Sequence, residues 1–295
     1  MADHQHQHHH TAVRNIRFAF FLNIIFTVVE IVGGMLTNSL AILSDALHDL
    51  GDTIALGISW RLEHLSERGR SSRFSYGYKR FSLLGAVTSS LILVAGSVFI
   101  VTRAVPRIIH PEEVHAEGML ILAIIGIAVN GVAVWRLHGG ERIHERVVKL
   151  HLLEDVFGWV AVLIVSIIIR FARLPFLDPL LSLGISLFVL VKVLNKLIQT
   201  VRIFLQSVPE SIGMEKLEHT VAGIPEIIGI HDMHIWSLDG EYHVGTVHIV
   251  VEQDIPREQI PGIKQKVRDI MTNVGVQHVT IEIEREAEVC EYKEC

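Results

Sequence analysis

The apolar positions of this chain fall into long blocks before they fall into stripes. Six stretches, about 16–36, 40–60, 81–105, 117–137, 152–172 and 178–200, approach the roughly 20 apolar residues a helix needs to cross a bilayer. Gly33, Gly34 and Asn38 mark a very short turn between the first two. Beyond about residue 205 the pattern changes. Glu210–Gly223 reads as a helix, and Ile227–Leu238 and Glu241–Val251 read as strands joined by Asp239-Gly240, a dipeptide suited to a tight hairpin. A second helix over about 257–273 and a strand at Val276–Ile283 complete an α-β-β-α-β order, which predicts a two-layer α+β domain. The expected organisation is a tail over 1–13, an α-helical membrane domain with six transmembrane helices over 14–204, a small cytoplasmic α+β domain over 205–286, and a tail over 287–295.

An even number of spans puts both termini on one side, and the positive-inside rule selects it. Twelve basic residues (Arg14, Arg17, Arg61, Arg68, Arg70, Arg73, Lys79, Arg80, Arg136, Arg142, Arg146 and Lys149) fall on the side of the termini. Four (Arg103, Arg107, Arg170 and Arg173) fall opposite. Both termini are therefore expected in the cytoplasm of a multi-pass protein of the plasma (inner) membrane. The apolar stretch after the tail is too long for a signal peptide and lacks a cleavage pattern.

Composition agrees and adds one anomaly. Half of the 295 residues are hydrophobic and the mean hydropathy is +0.42, too apolar for a soluble chain of this length unless much of its surface faces lipid. The net charge of -6 gives no broad basic surface for nucleic acid. The two cysteines, Cys290 and Cys295, both lie in the final tail and cannot staple a secreted fold. Histidine is abundant at 18 copies, and it is the commonest metal-ligating side chain. Five of them, His4, His6, His8, His9 and His10, crowd the N-terminal tail, which reads either as a metal-gathering segment or as a tag.

Ionisable residues inside a span are costly and mark function by default. The second span carries Asp45, His48, Asp49 and Asp52, and the fifth carries His151, Glu154 and Asp155. At about 100° per residue, His48 and Asp52 share one helix face, and His151 and Asp155 repeat the spacing. Two facing His-x-x-x-Asp pairs offer two nitrogens and two carboxylate oxygens, a set suited to tetrahedral zinc. Asp45 lies on the same face one turn farther out, as a supporting partner or part of an access path. Asp49 points about 100° from His48 and ranks below the others, while Glu154 is placed to orient the site. Mutual pairing with basic residues is the plain alternative, but neither span carries a lysine or arginine near these acids. Asn23 and Glu30 lie seven apart on one face of the first span, either lining a cavity or joining helices.

Enzymatic readings fail on spacing. His144-Glu145-Arg146-Val147-Val148 lacks the second histidine of a zinc protease, and His151–Asp155 departs from the inverted motif at its last residue. No glycine loop followed by Lys-Ser/Thr offers ATP a cradle, so no organic cofactor is expected and transport must be passive or ion-coupled.

With these residues in place the chain resembles the cation diffusion facilitators of the zinc-transporter branch. Ser39–Asp52 (SLAILSDALHDLGD) is similar to that family's second span, and His151–Ile164 (HLLEDVFGWVAVLI) to its fifth. Phe74–Arg80 resembles the motif entering the third span, and His231–Leu238 and His278–Glu284 resemble parts of the cytoplasmic domain. The resemblance implies six spans, a ferredoxin-like cytoplasmic domain, a homodimer, and antiport of metal against protons by alternating access. It places the transport site on His48, Asp52, His151 and Asp155, with zinc as cargo and cadmium as companion. It also implies regulatory metal ligands in the cytoplasmic domain at His231, His248 and Glu284. His234, His243 and His278 are further candidates, and Cys290 and Cys295 form a Cys-x4-Cys that either completes that site or captures metal. His64, His138 and His144 read as loop histidines. The alternative reading is a membrane-anchored metal sensor or scaffold, which would need no ligands inside the spans.

Overall fold

The structure, a computed structural model, describes residues 21–66, 68–136, 143–288 and 290. Six long helices come first: α1, described over Phe21–Thr37, α2 (Leu40–Ser66), α3 (Phe81–Ile109), α4 (Ala116–Arg136), α5 (Ile143–Ala172) and α6 (Leu177–Phe204). Among the described residues, α3, α4, α5 from Lys149 and α6 are long and apolar enough to cross a bilayer. The described part of α1 is shorter, and α2 is long but interrupted by its acids.

The described chain divides into two compact units. The first runs to Arg61 and resumes over Gly85–Leu197. Its core joins Phe26, Ile42, Met119 and Trp159 from α1, α2, α4 and α5. Trp159 is fully buried, meets Phe26 edge-on at 5.5 Å, and presses so closely on Gly126 of α4 that a Cβ there would overlap the indole. Small residues let membrane helices approach to this degree, where dispersion contact replaces a hydrophobic driving force. Gly126→Val should therefore lower the unfolding temperature of the purified protein, since overpacking costs about 1–3 kcal/mol. Gly131→Ala, facing open space on the same helix, should not; equal melting of the two variants would refute the packing role.

Gly33 and Gly34 lie inside α1 rather than in a turn. A Cβ on either would meet Leu122 or Leu43, so they serve close packing. The reversal into α2 falls on Asn38, whose φ of 53° is left-handed, a region asparagine tolerates. Arg107 of α3 secures that turn by donating to the Asn38 carbonyl (3.1 Å) and to its side-chain oxygen (2.7 Å). The first turn of α2 has no local acidic cap. Ser39 caps it locally by accepting from the Ile42 N–H (3.2 Å), and Asp178 of α6, fully buried, completes the cap by accepting from Ser39 Oγ (2.5 Å) and from the Leu40 and Ala41 N–H groups (2.8 and 3.3 Å). A carboxylate at a helix N-terminus satisfies the free N–H groups and complements the helix dipole. Ser44 and Ser186, hydrogen-bonded at 2.9 Å, add a second tie between α2 and α6.

The second unit comprises Leu62–Leu84 and the chain from Ile198 onward. It contains α7 (Met214–Ala222), β1 (Ile227–Ser237), β2 (His243–Val251), α8 (Ile260–Asn273) and β3 (Val276–Arg285). The sheet order is β1-β2-β3, with β1 antiparallel and β3 parallel to β2. The parallel pairing needs a crossover, and α8 supplies it. Buried Leu217 and Val221 of α7 and Ile263, Val267 and Met271 of α8 join Val247, Ile249 and Ile281 of the sheet in one core. The hairpin turns on Asp239, whose carboxylate accepts from the Glu241 and Tyr242 N–H groups, and on Gly240 at φ 101°. Within this unit Lys79 lies 3.6 Å from Asp239 and over the Tyr242 ring, and Tyr76 meets His278 edge-on.

Candidate metal centre

In α2 and α5 the i, i+4 spacing gathers the anticipated groups. His48 Nε2 is 3.7 Å from Asp52 Oδ2, His151 Nε2 is 3.4 Å from the same oxygen, and the two imidazoles meet at 5.9 Å between centroids. One ligand atom each from His48, Asp52 and His151 lie within 4.8 Å of one another. Asp155 stands apart from that triad: its Oδ2 is 4.0 Å from His151 Nε2. It groups instead with His151 and Asp49. The four residues singled out in the sequence thus form two triads sharing His151, and the second takes in Asp49, ranked low from its rotation about α2. The i, i+4 spacing of Asp45 and Asp49 was the available signal, because it gives α2 a second acidic face.

The surroundings explain how such a site is held. Glu30 is fully buried, with Trp159 as a polar neighbour, and lies close enough to Asp45 and Asp155 to feel their charge. Its seven-residue partner Asn23 is only half-buried, although its Oδ1 is enclosed and lacks a hydrogen bond. Asp45 is 7% exposed and reaches α5 where Gly158 leaves room. His48 lines a small cavity with Ser44, Ser97 and Ser186, and its Nδ1 has no hydrogen-bond partner among the described residues. Glu154 is paired with a lysine. Lys192 of α6 donates to both its oxygens at 2.7 Å, so the basic partner missing from α2 and α5 comes from a third helix.

A second cluster lies on the sheet. His231 and His248 face each other across the β1–β2 ladder, their rings 5.2 Å apart. Glu284 Oε1 lies 3.2 Å from His231 Nε2 and 2.7 Å from His248 Nδ1, and Cys290 Sγ lies 3.7 Å from that same nitrogen. One ligand atom of each lie within 4.8 Å of one another, a cysteine, two histidines and a carboxylate suited to tetrahedral zinc. Burial pushes the Glu284 carboxyl up. Hydrogen bonds from Cys290 and His248, with the charge of His231 and His248, outweigh it and hold the group below the usual glutamate range. Its contribution to stability is thus present above that range and lost only as pH falls through the lowered value.

The other candidates sit elsewhere. A bulge between His231 and His234 puts Asp232 at φ 48° and turns His234 outward, 2.6 Å from Asp232 Oδ1. Asp232 Oδ2 in turn stands 3.5 Å from His248 Nε2, and Glu282 3.6 Å, two neighbours that the sequence did not single out. His243 is buried at the start of β2, and His278 packs on Tyr76. His64 is exposed near the end of α2. Cys295, His138 and the five N-terminal histidines lie outside the described residues, and the side chain of His144 is not described.

Comparison with known proteins agrees with this layout. Residues 16–205 match the cation efflux transmembrane domain, and residues 209–286 match the cytoplasmic domain of cation efflux proteins. A cadmium, cobalt and zinc/H+-K+ antiporter of Bacillus subtilis is 33% identical over 287 residues, covering 96% of this chain and 92% of the relative. A metal cation efflux system protein of Cupriavidus metallidurans is 30% identical over 287 residues, covering 96% and 90%. A zinc transporter of Escherichia coli is 32% identical over 292 residues, covering 95% and 92%. The chain belongs to the cation diffusion facilitator family, in its zinc, cobalt and cadmium branch.

Proposed function

We propose that this protein exports zinc, with cadmium as a second substrate, from the cytoplasm in exchange for protons, binding the ion between α2 and α5. The observation that carries the reading is the approach of His48, Asp52 and His151 within 4.8 Å on two helices of the membrane domain. Ligand atoms at that depth serve translocation, whereas a sensor or scaffold has no use for them. The names of the bacterial relatives, zinc transporters and metal antiporters, support the same substrate and coupling. The topology that accompanies this reading is six spans with both termini in the cytoplasm of the plasma membrane, a ferredoxin-like cytoplasmic domain, and a homodimer. The match to the cytoplasmic domain of cation efflux proteins and the twelve-to-four distribution of basic residues support it.

The chemistry follows from the ligand types. An imidazole binds metal only after losing its proton, so metal and protons compete for His48 and His151. A more acidic exterior then helps eject the ion, and the inward proton gradient drives export. The test is zinc flux in vesicles of the purified protein with and without a pH gradient. Uptake into acidic vesicles that collapses when the gradient is dissipated supports exchange; flux indifferent to the gradient refutes it.

Histidine in both helical pairs also sets metal preference. His48→Asp trades a borderline nitrogen for a hard oxygen, so zinc should lose ground to manganese or iron in competition flux assays. An unchanged order of preference would place selectivity in other residues. The cytoplasmic cluster of His231, His248, Glu284 and Cys290 serves regulation in this reading: zinc bound there biases the protein toward a transport-competent state.

A further inference from the structure

The membrane domain offers the ion more ligand atoms than one tetrahedral site uses. Asp49 is 1% exposed, and its Oδ1 has no hydrogen-bond partner among the described residues. Asp155, across from it on α5, is 5% exposed, and its Oδ2 likewise accepts no hydrogen bond. A buried carboxylate oxygen without a donor is unfavourable, and two side by side are more so, unless a cation or a shared proton lies between them. An oxygen from each and a nitrogen of His151 lie within 4.8 Å of one another, close enough to share one ion.

We propose that Asp49, His151 and Asp155 form a second, deeper position for the transported ion. The ion reaches it from the His48–Asp52–His151 triad by exchanging His48 and Asp52 for Asp49 and Asp155 while His151 stays bound. This rests on the transport-site reading above and adds a step to it.

Three features support the step. The triads differ in burial: the side chains of His48, Asp52 and His151 are 22%, 27% and 32% exposed, whereas both carboxylates of the deeper set are nearly enclosed. They also differ in charge. The outer set offers two imidazoles and one carboxylate, the inner set one imidazole and two carboxylates, so the more anionic set holds the ion where water is scarcer. Finally, the shared imidazole keeps the ion coordinated throughout, which avoids a bare divalent charge at membrane depth. Both triads already converge on His151 in one arrangement of α2 and α5, so the handover needs a short displacement of the ion rather than a large rotation of either helix.

The test uses the protein carrying His231→Ala and His248→Ala, with His4, His6, His8, His9 and His10 also changed to alanine, so that neither the sheet nor the tail competes for metal. Co2+ binding, followed by its visible absorption, and zinc flux are measured for Asp49→Asn, a change that keeps the side-chain shape and removes the charge. Co2+ binding within about 3-fold of the parent, with zinc flux lowered by more than 10-fold in kcat and KM little moved, supports a handover position. Flux within 2-fold of the parent overturns it, because a single site of His48, Asp52, His151 and Asp155 would not involve Asp49. Binding lost together with flux overturns it too, since Asp49 would then belong to one undivided site. Asp52→Ala, run in parallel, separates the two levels. If it leaves binding and flux unchanged, the transport-site reading itself fails, whatever Asp49→Asn does.

Discussion

Replacing Asp52 with alanine should abolish zinc flux while leaving the protein folded. Asp52 is the carboxylate common to both histidines, 3.7 Å from His48 and 3.4 Å from His151. Without it the outer triad keeps two neutral imidazoles and offers a divalent cation no compensating charge in a low dielectric. Changes to groups that merely support metal ligands cost about 10–100-fold, so loss of this ligand should exceed about 100-fold in flux. Folding should survive, because Asp52 is partly exposed and lies outside the Phe26–Trp159 core. Asp155→Ala should act in the same direction, through the anionic partner of His151. The measurement is zinc flux at several concentrations, with monodispersity and melting as checks on fold. Parental flux from a well-folded Asp52→Ala protein would remove these helices from the transport pathway.

The second large effect belongs to the cytoplasmic cluster. With both membrane triads disabled by Asp52→Ala and Asp155→Ala, zinc titrated into the full-length protein should still bind tightly at the sheet. His231→Ala combined with His248→Ala should weaken that binding by more than about 100-fold, since half of a four-ligand site is gone. In an otherwise parental chain the same pair should reduce flux at low zinc, because a ligand shifts a conformational balance only by its different affinity for the two states. Calorimetry and flux read the two halves separately. Unchanged calorimetric binding would reject the ligand assignment; lost binding with unchanged flux at every zinc concentration would reject regulation.

Cys290 sharpens the second case. Its sulfur is 3.7 Å from His248 Nδ1, so the cluster carries a soft ligand that the membrane triads lack. A thiolate favours cadmium and zinc over manganese and magnesium, so this cluster is expected to prefer soft metals.

Much of this was legible in the chain because it depends on local periodicity. Uninterrupted apolar length gives the helices, since every backbone group must be satisfied within the segment in hydrocarbon. Spacing of four gives His48–Asp52 and His151–Asp155 on single faces, because 3.6 residues make a turn. Asp239-Gly240 gives the hairpin, because glycine tolerates the positive φ found there. The order of the last helix and strand follows from the same alternation of periods.

Tertiary structure alone decided the rest. Periodicity fixes how residues are rotated about one axis, but not which neighbour each face meets. Asp49 was ranked low by its angle from His48, yet that angle turns it toward Asp155 on α5, so α2 serves two triads. Glu154 looked free because its partner, Lys192, comes from another helix. Ser39 caps α2 locally, but the buried carboxylate that takes the Leu40 and Ala41 N–H groups is Asp178 on α6, more than a hundred residues away, where local capping rules do not reach. On the sheet, a parallel β3 brings Glu284 and Cys290 to the two hairpin histidines. Each of these joins residues distant in sequence, and packing, which no local pattern encodes, supplies the partner.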